Sequence, residues 1–158
     1  MIKAWIIGDA EVIAMLSQLG PKITDNVRTT TRSLTITLLR KVKEEKLNGQ
    51  ILKNKTGRLS RSVTDRYAES ANAFSGEVFT NVEYARIHEY GGQTKPHIIL
   101  PKNKRALAFI MGGKDIVVKS VHHPGSKFPE RSFMRSALAE MKPTIQSSYE
   151  QAVRESLK

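Results

Sequence analysis

Two apolar stripes at helical spacing stand at opposite ends of this chain. Between them lies a run of short β-branched segments cut by Gly and Pro. Ile23, Val27, Leu34, Leu38 and Val42 keep to steps of four or seven, so a helix over residues 22–47 carries them on one face. Met134, Leu138, Met141, Ile145, Tyr149, Ala152 and Leu157 recur at steps of three to five, which predicts a second helix from residue 130 to the end. Each helix must bury its stripe against another layer, and the strands between them supply one. The pattern predicts an α+β fold: an antiparallel sheet of about five strands packed against two long helices, with short helices beside it.

Taken in order, residues 1–8 read as an edge strand. Asp9 then caps a helix to Leu19 with Val12, Leu16 and Leu19 on one face, and Gly20-Pro21 ends it. The threonines at 29, 30, 31, 35 and 37 lower helix propensity, so a strand over residues 34–39 competes with the second helix. Residues 48–56 form a polar connection around Ile51-Leu52, a candidate flexible arm. Residues 62–70 and 74–81 read as a hairpin turning at 70–75. Residues 98–100 form a short buried strand stopped by Pro101. Residues 106–111 and 116–121 pair through a tight turn at Gly112-Gly113-Lys114-Asp115, and His122-His123-Pro124-Gly125 ends the second of them. Pro143 predicts a kink or break in the last helix. With no repeat and no long linker, 158 residues make a single domain over 1–158.

Residues 82–92, V-E-Y-A-R-I-H-E-Y-G-G, predict a short central helix. Tyr84, Ile87 and His88 share its face, and Gly91-Gly92 supply the positive φ that ends it. His88 and Glu89 invite an acid–base reading, but adjacent helical residues do not face each other. The other histidines are His97, His122 and His123; none has H-x-x-x-H spacing, and adjacent strand residues point to opposite faces. Without cysteine, disulfides and thiolate metal sites are excluded. No nucleophile elbow, phosphate-binding loop or dinucleotide fingerprint is present. No apolar run is long enough for a signal peptide or a membrane span.

The net charge is +11, concentrated in residues 22–66 and 95–135 around a mildly acidic centre. That asymmetry fits a polyanion or an acidic partner, against the alternative of a solvated basic surface. Arg58, Arg61, Arg66, Lys102, Lys104 and Arg105 are candidate phosphate contacts. Aromatic residues are only 6% and do not interleave the basic clusters, so a base-stacking platform is not expected.

Three stretches taken together resemble the tail-completion, or head–tail connector, proteins of long-tailed phages. The first is K-L-N-G-Q-I-L-K-N-K-T-G-R-L-S-R-S-V over residues 46–63, with Thr56, Gly57, Leu59 and Ser62 matching the family's T-G-x-L-x-x-S turn. The second is the central helix, where Tyr84, Ala85, His88, Glu89, Gly91 and Gly92 match or neighbour its Y-A-x-x-x-E-x-G signature. The third is His123-Pro124-Gly125 followed by Phe133 and Ala137, similar to its H-P-G and F-(L/M)-x-x-A-L opening of the last helix. The segment 98–115 is longer than in compact members. The resemblance implies a virion structural protein with no reaction, no metal and no cofactor, assembled in the host cytoplasm. It implies a ring of identical subunits, hexameric in many members, between a head connector or adaptor and the tail tube or tail terminator. Genomic DNA would pass through the lumen in transient, non-specific contact, and no membrane is involved. On that reading the motif residues keep the fold or make contacts. The rivals are a non-specific DNA-binding module and a small metal-dependent nuclease using His88, Glu89 and another histidine.

Overall fold

A computed structural model describes residues 10–53, 55–70 and 73–158. The strand expected over residues 1–8 and the Asp9 cap lie outside them. The first helix, α1, runs unbroken over Ala10–Arg40, so Gly20-Pro21 does not end it and no strand forms at 34–39. Pro21 and Ser17 are both exposed, so the carbonyl that loses its donor four residues back faces water. The same holds for Pro143 and Ala139 in α4, which is continuous over Met134–Ser156. After Arg40 the chain widens into a π-helical segment, Lys41–Gln50, which kinks at Asn48 and Gly49, where the backbone angles are not helical. Within it Val42, Lys46 and Leu47 are all buried. Past Gly49 the chain folds back, and the Ile51 and Leu52 amides both donate to the Lys46 carbonyl.

The chain divides into two compact units, Met1–Glu83 with Ser132–Lys158, and Tyr84–Arg131. In the first unit α4 lies antiparallel to α1, since three side-chain bonds run in opposite chain order. Asn26 Nδ2 donates to Ser156 Oγ at 2.8 Å, Thr31 and Tyr149 share a 2.8 Å bond, and Lys46 Nζ donates to Glu140 Oε1 at 2.5 Å. The buried face of α4 is Ala137, Met141, Ala152 and Ser156. Leu138 and Leu157, expected in that stripe, are 50% and 56% exposed. Among the described residues of α1, Thr31 and Thr35 are the buried ones, and Ile23, Val27, Leu34 and Leu38 are only half-buried. Each threonine hydroxyl donates to the carbonyl four residues earlier, so both are buried without an unmet donor.

Helix α2, Arg58–Ser62, leads into a hairpin of β1, Thr64–Ser70, and β2, Ala73–Phe79, registered Thr64↔Phe79 to Ser70↔Ala73. This hairpin lies on α1. A Cβ placed on Gly76 of β2 would stand 1.7 Å from Thr35 Oγ1, so the missing side chain is what admits the strand. The arginines of α1 cover the hairpin's rings: Arg28 is 5.4 Å from the Phe74 centroid and Arg32 is 4.5 Å from that of Tyr67.

The second unit opens with helix α3, Ala85–Tyr90. It is followed by β3, Gly92–Gln93, β4, His97–Ile99, β5, Leu107–Met111, β6, Lys114–Val118, β7, Val121–His123 and β8, Lys127–Phe128. The five-stranded sheet is therefore corrected: among the described residues there are only antiparallel two-stranded ladders, β1-β2, β3-β8, β4-β7 and β5-β6. The last three nest as one long hairpin. The pairs Gly92↔Phe128 and His97↔His123 belong to a single register. Continued through the gap, that register sets Pro96 opposite Pro124, two residues without an N–H, so the ladder must break there. Beyond Ile99 the seven residues 100–106 face only 119–120 before the ladder resumes at Leu107↔Val118. Nested this way, β4 has no second layer: Ile98 is 63% exposed, not buried as expected.

Two outcomes test this packing. Gly76→Ala is expected to lower unfolding free energy by about 1–3 kcal/mol through overpacking, with most of it restored in Gly76→Ala/Thr35→Ala, by urea denaturation. Glu140 is held below the usual carboxylate range, first by the bond from Lys46 and then by that from Lys41. A carboxylate with a depressed folded pKa stabilises above its unfolded pKa of about 4.3 and loses that contribution as pH falls further. Glu140→Gln is therefore expected to flatten the fall in the urea midpoint below about pH 4.3 relative to the parent.

Candidate functional site

The stretch from Thr56 to Ser62 is a compact turn. Gly57 takes φ 73° and opens α2. The Arg61 amide donates to the Gly57 carbonyl at 2.9 Å, and its guanidinium donates to the Thr56 carbonyl at 2.9 Å. The Leu59 carbonyl accepts the Val63 amide and the Ser62 hydroxyl. Ser62 and Thr80 share a 2.7 Å bond, which ties the turn to the end of β2. These residues fasten α2 to the hairpin of the first unit.

In the second unit, Tyr84 stands just before α3, and its ring meets His88 edge-on at 6.0 Å. His88 in turn meets Phe128 edge-on at 5.9 Å. Burial and the nearby positive charge of Arg131 push the His88 imidazole below its ordinary pKa, burial being the larger cause. The His88 ring is thus held between two aromatic rings, and its carbonyl accepts the Arg131 amide at 2.7 Å. Ala85 and Glu89 are buried; Tyr84 is 40% exposed. Gly91 follows with φ 69°. A Cβ there would be 2.9 Å from the Glu130 nitrogen, so both the backbone angle and the space demand glycine. Gly92, with φ 142°, begins β3.

The H-P-G stretch closes the same unit. His123 Nδ1 accepts the Gly125 amide at 3.0 Å, which leaves the proton on Nε2. Its ring stacks on His97, centroids 5.0 Å apart. Gly125 takes φ 90°, and a Cβ on it would stand 2.1 Å from the Thr94 carbonyl oxygen. Thr94 and Ser126 exchange the bonds that hold this crossing: Thr94 N to Ser126 O at 3.0 Å and Ser126 N to Thr94 Oγ1 at 2.7 Å. Phe133, 1% exposed, and Ala137, fully buried, belong to the first unit at the start of α4.

The basic candidates fall in three places. Arg58 and Arg61 are exposed on α2. Arg66 lies on β1, 63% exposed, its guanidinium 4.9 Å over the Phe79 ring and 3.9 Å from Glu77. Lys102, Lys104 and Arg105 are exposed on the connection from β4 to β5. Among the described residues no three His, Asp or Glu side chains converge as a metal site would need, and no helix is long and apolar enough to cross a membrane. Two open grooves flank the helix pair of the first unit. One, of about 340 Å3, is polar and includes Asn26, Ser33 and Gln151; the other, of about 390 Å3, includes Ile23, Val27, Phe74 and Tyr149.

Sequence reasoning missed the clearest surface of the molecule. Of thirteen exposed large apolar side chains among the described residues, nine lie in the second unit, among them Ile98, Leu100, Ile110, Met111 and Val117 at 63–73% exposure. The available signal was the pairing of β-branched runs around Gly112-Gly113 with nothing in the neighbouring sequence to cover their second face. Comparison with family models, curated proteins and solved structures returned no match.

The glycine crossings are directly testable. Gly91→Val and Gly125→Ala are each expected to speed amide hydrogen exchange at Thr94 and Ser126 at least tenfold, with exchange in β1 and β2 unchanged. Protection that persists in both variants would refute the steric account of these turns.

Proposed function

We propose that this protein is a structural component of a phage head–tail neck, a ring of identical subunits that completes the tail and meets the head connector. The observation that carries the reading is the uncovered apolar surface of the second unit. Large apolar side chains left exposed in number on one unit mark a surface suited to protein contact. The three motif stretches support it in another way. Their residues hold turns, crossings and the start of α4, which are the tasks of a scaffold. The open grooves beside α1 and α4 offer the first unit a separate surface for a neighbouring subunit, as a closed head-to-tail ring requires two different patches. Arg58, Lys102, Lys104 and Arg105 are exposed cations suited to transient contact with DNA in a lumen, since phosphate contacts carry no sequence information.

The test is solution mass by light scattering across a concentration series, with and without duplex DNA at moderate salt. The expected outcome is a closed oligomer of about six subunits, unchanged by DNA. A monomer that binds short duplexes with a steep salt dependence would replace this reading with a non-specific DNA-binding module.

A further inference from the structure

The distal ribbon of the long hairpin, β5 with β6, has two free edges among the described residues. Its pairing sets Ala108 beside Val117 and Ile110 beside Asp115 on one face. On that face Ile110 is 73% and Val117 is 68% exposed. The opposite face carries Leu107, Phe109, Met111, Ile116 and Val118; away from the turn it is better covered, Phe109 being 39% exposed, whereas Met111 beside the turn is 66% exposed. Exposed edges in soluble proteins are ordinarily blunted by charge, proline or a bulge. Here the strand residues are apolar apart from Lys114 and Asp115 beside the turn, and the other cations sit at the ribbon's far end. Lys102, Lys104 and Arg105 lead into β5, Lys119 follows β6, and Lys114 is at the turn; all five are exposed.

From this we infer that the β5–β6 ribbon receives an extended, acidic segment of a different protein, added as a further strand. Backbone groups on a free edge give such pairing its affinity, and alternate side chains give its specificity. Three features select this occupant. The second unit carries nine basic and three acidic side chains, so a second copy of the ribbon would bring like charges together. The turn Gly112-Gly113-Lys114-Asp115 is polar and charged, so the end of the ribbon that would enter a lipid surface first is the part least suited to it. A nucleic-acid backbone would satisfy the lysines and leave Ile110 and Val117 uncovered. An acidic strand with apolar alternate residues satisfies both. The inference extends the assembly reading, on which it rests for the expectation of a protein partner.

The probe is a fluorescent peptide of about ten residues alternating Glu and Val, with a Lys–Val peptide as the charge control, measured by anisotropy against the full chain. The expected result is binding of the Glu–Val peptide, weakened at least tenfold by Ile110→Ser/Val117→Ser and separately by Lys102→Glu/Lys104→Glu/Arg105→Glu, with no binding of the Lys–Val peptide. All five substituted side chains are exposed, so unchanged melting of the variants verifies that folding is not the cause. No binding, or equal binding of both peptides, overturns the inference. Loss of the parent's self-association in Ile110→Ser/Val117→Ser makes a second copy the occupant, and capture by phosphatidylserine vesicles that depends on the same two residues makes it a lipid surface; both overturn it. A closed oligomer that ignores the peptide refutes this inference and leaves the ring standing, whereas a monomer that binds the peptide does the reverse.

Discussion

The antiparallel seam between α1 and α4 is the constraint on which the first unit depends. The bonds that cross it come from small or polar residues: Asn26 reaches Ser156 and the Ala152 carbonyl, and Thr31 shares a bond with Tyr149, with Thr31, Ala152 and Ser156 buried. Small side chains permit close approach, and hydroxyls that bond back to their own helix bring no unmet donor with them. At one end the seam is locked by charge. Lys46 is 1% exposed, and its ammonium is spent on Glu140, which also accepts from Lys41 at 3.0 Å. A lysine buried to this degree is tolerated only with such a partner. Lys46 stands four residues after the buried Val42, on the same helical face, so its ammonium is carried inward to where Glu140 meets it.

Because α4 returns along α1, the intervening chain must leave and come back to nearly the same place. The hairpin β1-β2 does so by lying on α1, where Gly76 meets Thr35. The residues between Tyr84 and Arg131 do so as one long hairpin behind α3, with its crossing held by Gly91 and Gly125. Both glycines have a positive φ and both face a backbone atom within 3 Å of where a Cβ would stand. Neither position tolerates a side chain, which accounts for two of the three motif stretches in purely steric terms.

Much of this frame was legible in the residues. The apolar spacing located both long helices, alternation located the hairpin of the first unit, and Gly91-Gly92 marked the end of α3. The failures have physical causes. Gly20-Pro21 and Pro143 did not break their helices because each proline faces water, and local sequence does not report which side of a helix is wet. Leu138 and Leu157 were assigned to a buried stripe whose true members include Ala137 and Ser156, because hydrophobicity alone overlooks small residues that make a close seam. The single sheet was expected because short β-branched segments look alike in isolation. What distinguishes nested ladders from a layered sheet is where pairing breaks and shifts: it breaks at Pro96 facing Pro124, and its register shifts across the unequal lengths of residues 100–106 and 119–120. The buried lysine had no local signal, since a cation on a helix is ordinarily solvated and the carboxylate that pairs with it, Glu140, lies 94 residues away.

The two units also differ in how they satisfy themselves. The first pairs polar groups within its own chain through the bonds of Asn26, Thr31, Lys46 and Ser62, leaving the buried Tyr67 hydroxyl without a partner among the described residues. The second relies on two-stranded ladders, which are marginal in water without a further layer, and it leaves Ile98, Leu100, Ile110 and Val117 largely in solvent. Burying those four side chains would stabilise by roughly 1.5–3 kcal/mol each when fully covered. That is comparable to the whole margin by which an ordinary domain is stable. A chain that leaves so much unclaimed on one hairpin, while locking its other unit internally, separates the part that holds shape from the part that gains by contact. On the proposed assembly reading such a separation has a use: the frame can remain fixed while the hairpin's order is completed by whatever it joins.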